Sequence, residues 1–329
     1  MPLRPMRIFV TGGTGYIGRA LCRRLVAAGH EVRALVRPTS DAGPLAALGV
    51  ATFVGDVADR LSMREGMSGA DWVVHAAAEL DIRAPLERMR RINVEGSENA
   101  ASLAYKLGVG RFLSVSSIAY FGGSGEDGRT ADETAAPQTP FPTAYSATKH
   151  AGERAIREWG KRGLRVTTVY PSLVYGPPGK REGANAILRR VIKGRVPAVV
   201  GGDRRTSWVY LDDVVDGIVR AMEGGAPGRD YLLAGEVAAL RDLMRKVSTL
   251  AGVAPPRLEL PLGLVRAGVA ASAPLFRLTG RRPPYVPEQL RSLARHWAFD
   301  DARARRELGW TPRGLDAGLP PTVEFLKAA

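Results

Sequence analysis

The stretch Arg7-Ile8-Phe9-Val10-Thr11-Gly12-Gly13-Thr14-Gly15-Tyr16-Ile17-Gly18 decides the fold. A short apolar run meets a glycine cluster. Arg19-Ala20-Leu21-Cys22-Arg23-Arg24-Leu25 follows, with Ile17, Leu21 and Leu25 on one helical stripe. The pattern reads as strand, tight turn, helix. Gly12, Gly15 and Gly18 recur at every third position. Lacking side chains, they let the backbone turn sharply, approach a pyrophosphate and pack the helix on the sheet. The helix N-terminus offers free N–H groups and a partial positive charge to that anion. A lone glycine cluster can be a tight turn and nothing more. Here the next strand, Glu31-Val32-Arg33-Ala34-Leu35-Val36, extends the pattern into the first half of a dinucleotide site.

A second stretch supplies chemistry for such a site. In Tyr145-Ser146-Ala147-Thr148-Lys149 the Tyr and the Lys lie four residues apart, one turn along the same helix face. A phenol with its ordinary pKa of about 10 is a poor acid near neutral pH. A neighbouring ammonium stabilises the phenolate and moves it toward a useful range. The spacing is common by chance, and it gains meaning from the glycine loop upstream.

Together these stretches resemble the extended short-chain dehydrogenase/reductase family, of the NAD-dependent epimerase/dehydratase kind, over nearly the whole chain. Thr11 to Gly18, including Thr14, Tyr16 and Ile17, matches the cofactor fingerprint. Asp56, followed by Val57, matches the acid that meets the adenine after the third strand. His75-Ala76-Ala77-Ala78 matches the small-residue turn after the fourth. Asn93, Ser117, Tyr145 and Lys149 match the catalytic set. Tyr170-Pro171-Ser172-Leu173-Val174-Tyr175-Gly176-Pro177 resembles a family turn that usually begins with Arg, here replaced by Tyr170.

The resemblance implies roles as well. Tyr145 exchanges a proton with the substrate oxygen, and Ser117 holds that oxygen. Lys149 lowers the phenol's pKa and hydrogen-bonds the nicotinamide ribose, and Asn93 supports a water near Lys149. It implies cofactor contacts from Gly12, Thr14, Gly15, Tyr16, Ile17, Gly18, Arg37, Asp56, Val57, Ala76, Ala77, Ala78, Lys149, Tyr170, Pro171, Ser172 and Val174. No metal site is expected. His150 is read as structural and Ser116 as a support behind the site.

Composition fits this frame. At 329 residues the chain can hold one large α/β unit and a smaller lobe. The expectation is a doubly wound parallel sheet. Residues 1–176 form the dinucleotide-binding domain and 177–329 mainly the substrate lobe, with segments at about 205–235 returning to the first core. Expected helices include Ile17–Ala28, Pro85–Leu107 and Thr143–Trp159. Cys22 is the one cysteine, which excludes an internal disulfide and fits a reducing compartment. Met1 to Met6 is too short for a secretory leader, and no apolar run reaches about 18 residues. A cytoplasmic location is expected. The net charge of +14 comes from arginines scattered along the chain, and only 7% of residues are aromatic. Nucleic-acid binding calls for clustered charge with stacking aromatics, so it is set aside. The charge remains available to attract an anionic cofactor or an acidic membrane surface.

Cofactor choice turns on Val36 and Arg37. A cofactor without a 2′-phosphate usually meets an acid at the end of the second strand. Val36 cannot accept that bond, whereas Arg37 can pair with a phosphate. NADP(H) is favoured, and NAD(H) stays open with Arg37 lying on the adenine.

Departures from sugar-modifying relatives narrow the reaction. Dehydratases carry an Asp-Glu pair shortly after the catalytic Ser, where this chain has Ile118 and Ala119. The diphosphate-binding Arg expected seven residues before Asp213 is Thr206, with Arg204 and Arg205 close by. Leu258 to Leu278 is largely apolar, with Leu260, Leu262, Leu264, Val265, Val269, Leu275 and Phe276. This segment is similar to that of dihydroflavonol-reductase-like, 3β-hydroxysteroid-dehydrogenase-like and 2-alkyl-3-oxoalkanoate reductases. It reads as a cover over an apolar substrate, as lobe core, or as a helix resting on a membrane. The expected enzyme interconverts a ketone and a secondary alcohol. The alternatives are a nucleotide-sugar or lipid-linked sugar epimerase and a cofactor-binding regulator. A homodimer is expected through the helices at 85–107 and 143–159, with Ala100, Ala101, Leu103, Ala104, Ala151, Ala155 and Ile156 as contact surface.

Overall fold

The computed structural model describes residues 5–125, 127–179, 182–279 and 287–329, without the side chains of 273–279 and 287. Strands β1 (Arg7–Thr11), β2 (Glu31–Val36), β3 (Ala51–Val54), β4 (Trp72–His75), β5 (Arg111–Val115) and β6 (Val166–Pro171) alternate with helices. Those helices are α1 (Tyr16–Ala27), α2 (Gly43–Ala46), α3 (Arg64–Met67), α4 (Leu86–Arg90), α5 (Gly96–Lys106) and α6 (Ala144–Lys161). The rest of the chain forms β7 (Leu173–Tyr175), α7 (Asn185–Ile192), β8 (Ala198–Val200), β9 (Arg205–Tyr210), α8 (Leu211–Gly224), β10 (Asp230–Leu233) and β11 (Glu236–Ala239). It continues as α9 (Leu240–Ala251), β12 (Leu258–Leu260), α10 (Leu262–Thr279), α11 (Pro287–Leu293), α12 (Ala302–Leu308) and α13 (Leu315–Ala328).

The main sheet has seven parallel strands in the order β10-β6-β5-β4-β1-β2-β3. Its central strands are apolar on both faces because helices cover both. On one face Phe9, Val73, Phe112 and Val166 pack with Ala100, Ala104 and Ile156 of α5 and α6. On the other, Ile8, Val10, Val74 and Val169 pack with Leu21 and Leu25 of α1 and with Val214 and Ile218 of α8. Strand order reverses between β1 and β4, and in such sheets the crevice beyond that point is where ligands bind. A second core, around Tyr175, Leu188, Trp208, Leu243 and Leu319, builds the smaller lobe.

Three expectations are corrected. The helix expected over 85–107 is interrupted by a π-turn at Arg91–Glu95. The contact surface proposed for a dimer is largely internal. Ala100, Ala101, Leu103, Ala104 and Ile156 are buried against the protomer's own sheet, where small side chains bring α5 close. The apolar stretch from Leu258 is not lobe core, since Leu258, Leu260 and Leu264 are exposed. Leu275 and Phe276 lie outside the described side chains.

The π-turn sits where α6 crosses it. A Cβ on Gly152 would stand 2.0 Å from the Asn93 carbonyl oxygen, so only glycine allows this approach. A buried polar chain leads from the same turn to the glycine loop. Ser97 Oγ donates to the Asn93 carbonyl at 2.8 Å and lies 3.2 Å from His75 Nε2. His75 Nδ1 lies 2.9 Å from Thr11 Oγ1, which accepts from the Ala77 N–H. Since Ser97 spends its proton on Asn93, His75 must carry its hydrogen on Nε2 and accept from Thr11 at Nδ1. The ring is neutral, and burial pushes its pKa down to about 3.

This gives a pH dependence with a definite sign. The unfolded chain protonates this His near 6.5 and the folded protein only near 3, so stability falls as pH drops below 6.5. His75→Gln can keep one donor and one acceptor and removes the titration. Between pH 7 and pH 4.5 the wild type is expected to lose about 2–3 kcal/mol more than His75→Gln. Urea midpoints at the two pH values measure this, and equal losses would contradict the assignment.

Candidate functional site

The glycine loop forms a cradle. Gly12 has φ +74°, and a Cβ there would meet the Ala76 carbonyl and the Ala77 nitrogen at 2.7 Å. A Cβ on Gly18 would lie 2.1 Å from the Gly12 carbonyl oxygen. The turns after β1 and β4 therefore touch backbone to backbone. Gly15 precedes α1 with no side-chain cap, and the first turn of α1 holds no acid. Its N–H groups are left for an anion. The residues present fit a dinucleotide's pyrophosphate.

Around the cradle, Thr14 and Ala76 to Ala78 are partly exposed at its edge. Val36 is buried at the end of β2, and Arg37 next to it is exposed, its guanidinium without a partner among the described residues. Beyond β3, Asp56 Oδ1 accepts from Ala58 N at 2.9 Å, and Val57 is buried against Gly96. Ile17 is half-buried against the α1 face of the core. Tyr16 extends under the second lobe. Its phenol donates to the Gly176 carbonyl and accepts from Asn185 Nδ2 at 3.2 Å.

The turn after β6 departs from expectation. Tyr170 is fully buried among Ile118, Phe121 and Phe299, and its phenol oxygen accepts from Arg157 Nη2 at 2.6 Å. Ser172 Oγ donates to the Ala234 carbonyl at 2.6 Å, and Pro171 and Val174 are buried. A tyrosine here turns inward because it fills an aromatic core and has a half-buried arginine to satisfy its hydroxyl. None of these side chains is free for a cofactor, which leaves only the backbone of this turn.

The catalytic candidates converge at the C-terminal end of β5. Ser117 caps a 3-10 turn over Ile118–Phe121, its Oγ accepting from Ala119 N at 3.2 Å. Its hydroxyl also favours the ionised form of the Tyr145 phenol. Thr143 caps α6 by accepting from Ser146 N at 3.0 Å, which fixes the helix start two residues before Tyr145. Lys149 is buried and its Nζ donates to the Val115 carbonyl at 3.3 Å. Burial pushes Lys149 down to about 8, with Glu153 opposing. Burial also pushes Tyr145 up to about 12, partly offset by Ser117. Desolvation therefore dominates at Tyr145, and the Lys149 ammonium is turned to the Val115 carbonyl.

Asn93 acts as a clamp. Its Oδ1 accepts from Glu79 N at 2.7 Å, and its Nδ2 donates to the Glu79 carbonyl and to Thr148 Oγ1, both at 3.1 Å. His150 stacks on Tyr120 and Phe141, away from the site. Ser116 Oγ is buried without a partner behind Ser117.

Several residues near the site carry no signal in the motifs read above. Arg291 Nε donates to the Pro142 carbonyl at 3.1 Å, and Arg295 Nη1 to those of Gly122 and Gln138 at 2.6 and 2.9 Å. These arginines tie the C-terminal segment over the loops that carry Ser117 and Tyr145. Arg205 Nη1 donates to the Gly128 carbonyl at 2.7 Å, and Arg204 Nη1 lies 2.9 Å from His296 Nε2. Both are engaged in the protein's own contacts. Ile118 and Ala119 are buried and bring no acid to the site. Among the described residues no cluster of His, Cys, Asp or Glu could hold a metal, and no helix is long and apolar enough to cross a membrane.

Comparison with known proteins agrees with this geometry. Residues 8–234 match the model of the NAD dependent epimerase/dehydratase family. The chain is 32% identical to sterol demethylase protein B of Methylococcus capsulatus, with 98% of each covered. It is 33% identical to the 4-hydroxy-2-methyl-3-oxo-4-farnesyl-3,4-dihydroquinoline-1-oxide ketoreductase of Stigmatella aurantiaca, with 95% of each covered. The crystal structure of gox2253 superposes with a TM-score of 0.85 at 32% identity, covering 98% of both chains. With the glycine cradle at the strand-order reversal and the Ser117, Tyr145 and Lys149 constellation beside it, these likenesses mean that the chain belongs to the NAD dependent epimerase/dehydratase family.

Proposed function

We propose that this NAD(P)-dependent oxidoreductase interconverts a ketone and a secondary alcohol on an apolar substrate, with NADP(H) as its preferred cofactor. The observation that carries the reading is the convergence of Ser117 and Tyr145 beside the buried Lys149, with Ile118 and Ala119 bringing no acid after Ser117. A ketone needs one proton at its oxygen, and Tyr145 is the donor within reach. Ser117 orients the same oxygen. Lys149 holds positive charge behind the phenol, and Asn93 fixes α6 to the loop at Glu79. A nicotinamide cofactor held at the glycine cradle would supply or accept the hydride.

For the cofactor, the backbone of Gly12, Thr14, Gly15, Ile17 and Gly18 would hold the pyrophosphate. Asp56 and Val57 would meet the adenine, and Arg37 the 2′-phosphate. Ala76, Ala77 and Ala78 would line the crevice. The dinucleotide is assigned to 1–176 and the substrate mainly to 177–329, with β10 returning to the main sheet. The Stigmatella relative, named for reduction of a farnesylated ring ketone, supports an apolar substrate. So do the exposed leucines before and on α10. An epimerase would use the same three catalytic residues, but Arg204 and Arg205, nearest the expected diphosphate-binding position, are engaged with His296 and Gly128. A pure regulator would not need the buried lysine. The single buried cysteine fits a cytoplasmic location.

Tyr145→Phe is expected to retain the fold and cofactor binding while losing about 10²–10⁴-fold in kcat. Steady-state assays on ketone and alcohol panels check this, and activity within a few-fold of wild type removes Tyr145 from its role. Arg37→Ala should weaken NADPH by about ten-fold or more and leave NADH nearly unchanged, since a hydrogen bond to a charged group contributes roughly 1.5–3 kcal/mol. Fluorescence titration with both cofactors decides it, and equal weakening of both contradicts the assignment. A homodimer is proposed through the outer faces of α4, α5 and α6, which expose Leu86 and Tyr105. Sedimentation at micromolar concentration should give a dimer, and a monomer there refutes the interface.

A further inference from the structure

Tyr145, Lys149, Glu153 and Arg157 follow one another at four-residue intervals on α6, so they stack on one face of the helix. That face is turned into the protein, with Lys149 8% and Glu153 3% exposed. Glu153 is gripped from two strands. Ser114 Oγ on β5 donates to its Oε2 at 2.8 Å, and Thr168 Oγ1 on β6 to its Oε1 at 2.7 Å. Arg157 Nε lies 3.8 Å from Oε1. Arg157 is itself anchored, with Nη2 at 2.8 Å from both oxygens of Asp230. Burial raises the Glu153 pKa, and two hydroxyl donors and the Arg157 cation oppose it in favour of the ionised carboxylate. Charge therefore alternates inward from the Asp230 edge: carboxylate, guanidinium, carboxylate, ammonium. The reaction described above gives Glu153 no task, yet burying it is costly unless it is paired.

We propose that Glu153 is a positioning residue whose carboxylate is the fixed counter-charge that keeps Lys149 an ammonium and so sets the pH range in which Tyr145 works. The proposal rests on the assignment of proton transfer to Tyr145 and Lys149. The other groups facing this pair are accounted for. His75 on β4 is held neutral by burial and by the Thr11 and Ser97 hydrogen bonds. On the β5 side Lys149 meets only the Val115 carbonyl, with Ser114 donating to Glu153. Tyr170 on β6 and Tyr120 in the 3-10 turn are phenols whose pKa is raised by burial, so both stay neutral near pH 8. Arg157 and Asp230 offset each other at the outer end. Glu153 is thus the anion nearest to Lys149 on the shared helix face. Burial alone draws the ammonium's pKa down, and Glu153 works against it.

The chain has only seven lysines, which makes a direct test practicable. Protein carrying [ε-¹³C]lysine is titrated by NMR, and Lys149→Arg identifies the signal. In the wild type this signal should titrate near pH 8. In Glu153→Gln, which keeps the shape and removes the charge, the midpoint should fall by about one pH unit or more. Glu153→Asp keeps the charge and should restore part of the shift, which a merely structural role for Glu153 does not predict. A Lys149 midpoint in Glu153→Gln equal to that of the wild type overturns the proposal. Should Glu153→Gln fail to fold, Glu153→Met, which fills similar space without the charge, takes its place. Its Lys149 midpoint must then also fall, and an unchanged value there overturns the proposal. A parallel kcat/KM profile for ketone reduction should show its alkaline limb displaced by the same amount. Absence of any ketone turnover would sink the assigned reaction, while the lysine titration still decides the role of Glu153.

Discussion

Polar groups on the inner face of α6 have no water to turn to, and the active region is arranged around that constraint. Ser146, Thr148, Lys149 and Glu153 are all buried on this helix. Each is satisfied by a different neighbour: the Thr143 cap, the Asn93 amide, the Val115 carbonyl, and the hydroxyls of Ser114 and Thr168. An apolar helix can slide on its sheet at small cost. A helix held by buried hydrogen bonds cannot, because any slip leaves a donor or acceptor unpaired at about 1–3 kcal/mol each. Gly152 completes the fit by letting the Asn93 carbonyl approach where any other side chain would collide.

The same constraint joins the two halves of the site. The chain Thr11, His75, Ser97 and Asn93 runs from the glycine loop to the π-turn, and Asn93 passes it on to Thr148 of α6. The cradle for an anion and the helix carrying the acid are therefore parts of one buried network. A neutral His75 is essential to it, since the ring must donate on one side and accept on the other. Backbone contact between the turns at Gly12 and Ala76 makes the join rigid at its other end.

The smaller lobe reaches the site through arginine and amide clamps as well as through the apolar cluster of Ile118, Phe121, Tyr170 and Phe299. Arg291 and Arg295 grip carbonyls of the loops flanking Ser117 and Tyr145, while Asn185 holds Tyr16, Gly176 and Gly179. Further out, Asp213 forms a fork with Arg313 that fastens the C-terminal segment to α8. These arginines are thus structural, with Arg295 satisfying three carbonyls and Arg313 forking onto one carboxylate.

The sequence by itself determined the fold class and the order of strands and helices through β6, and it offered Ser117, Tyr145 and Lys149 as the catalytic candidates. It could do so because the glycine spacing, the apolar strands and the Tyr-to-Lys interval are local patterns set by backbone geometry. It also held the interval that brings Glu153 and Arg157 onto the same face, though nothing local says whether that face looks at solvent or at the sheet. Tertiary structure alone decided that it looks inward. It turned Tyr170 into the aromatic core instead of the cofactor crevice, and sent Arg204 and Arg205 to the protein's own His296 and Gly128. It also buried Ala100, Ala104 and Ile156 within the protomer. The reason is common to all of these: which way a side chain points depends on partners distant in sequence, and a buried polar group goes where its hydrogen bond can be made.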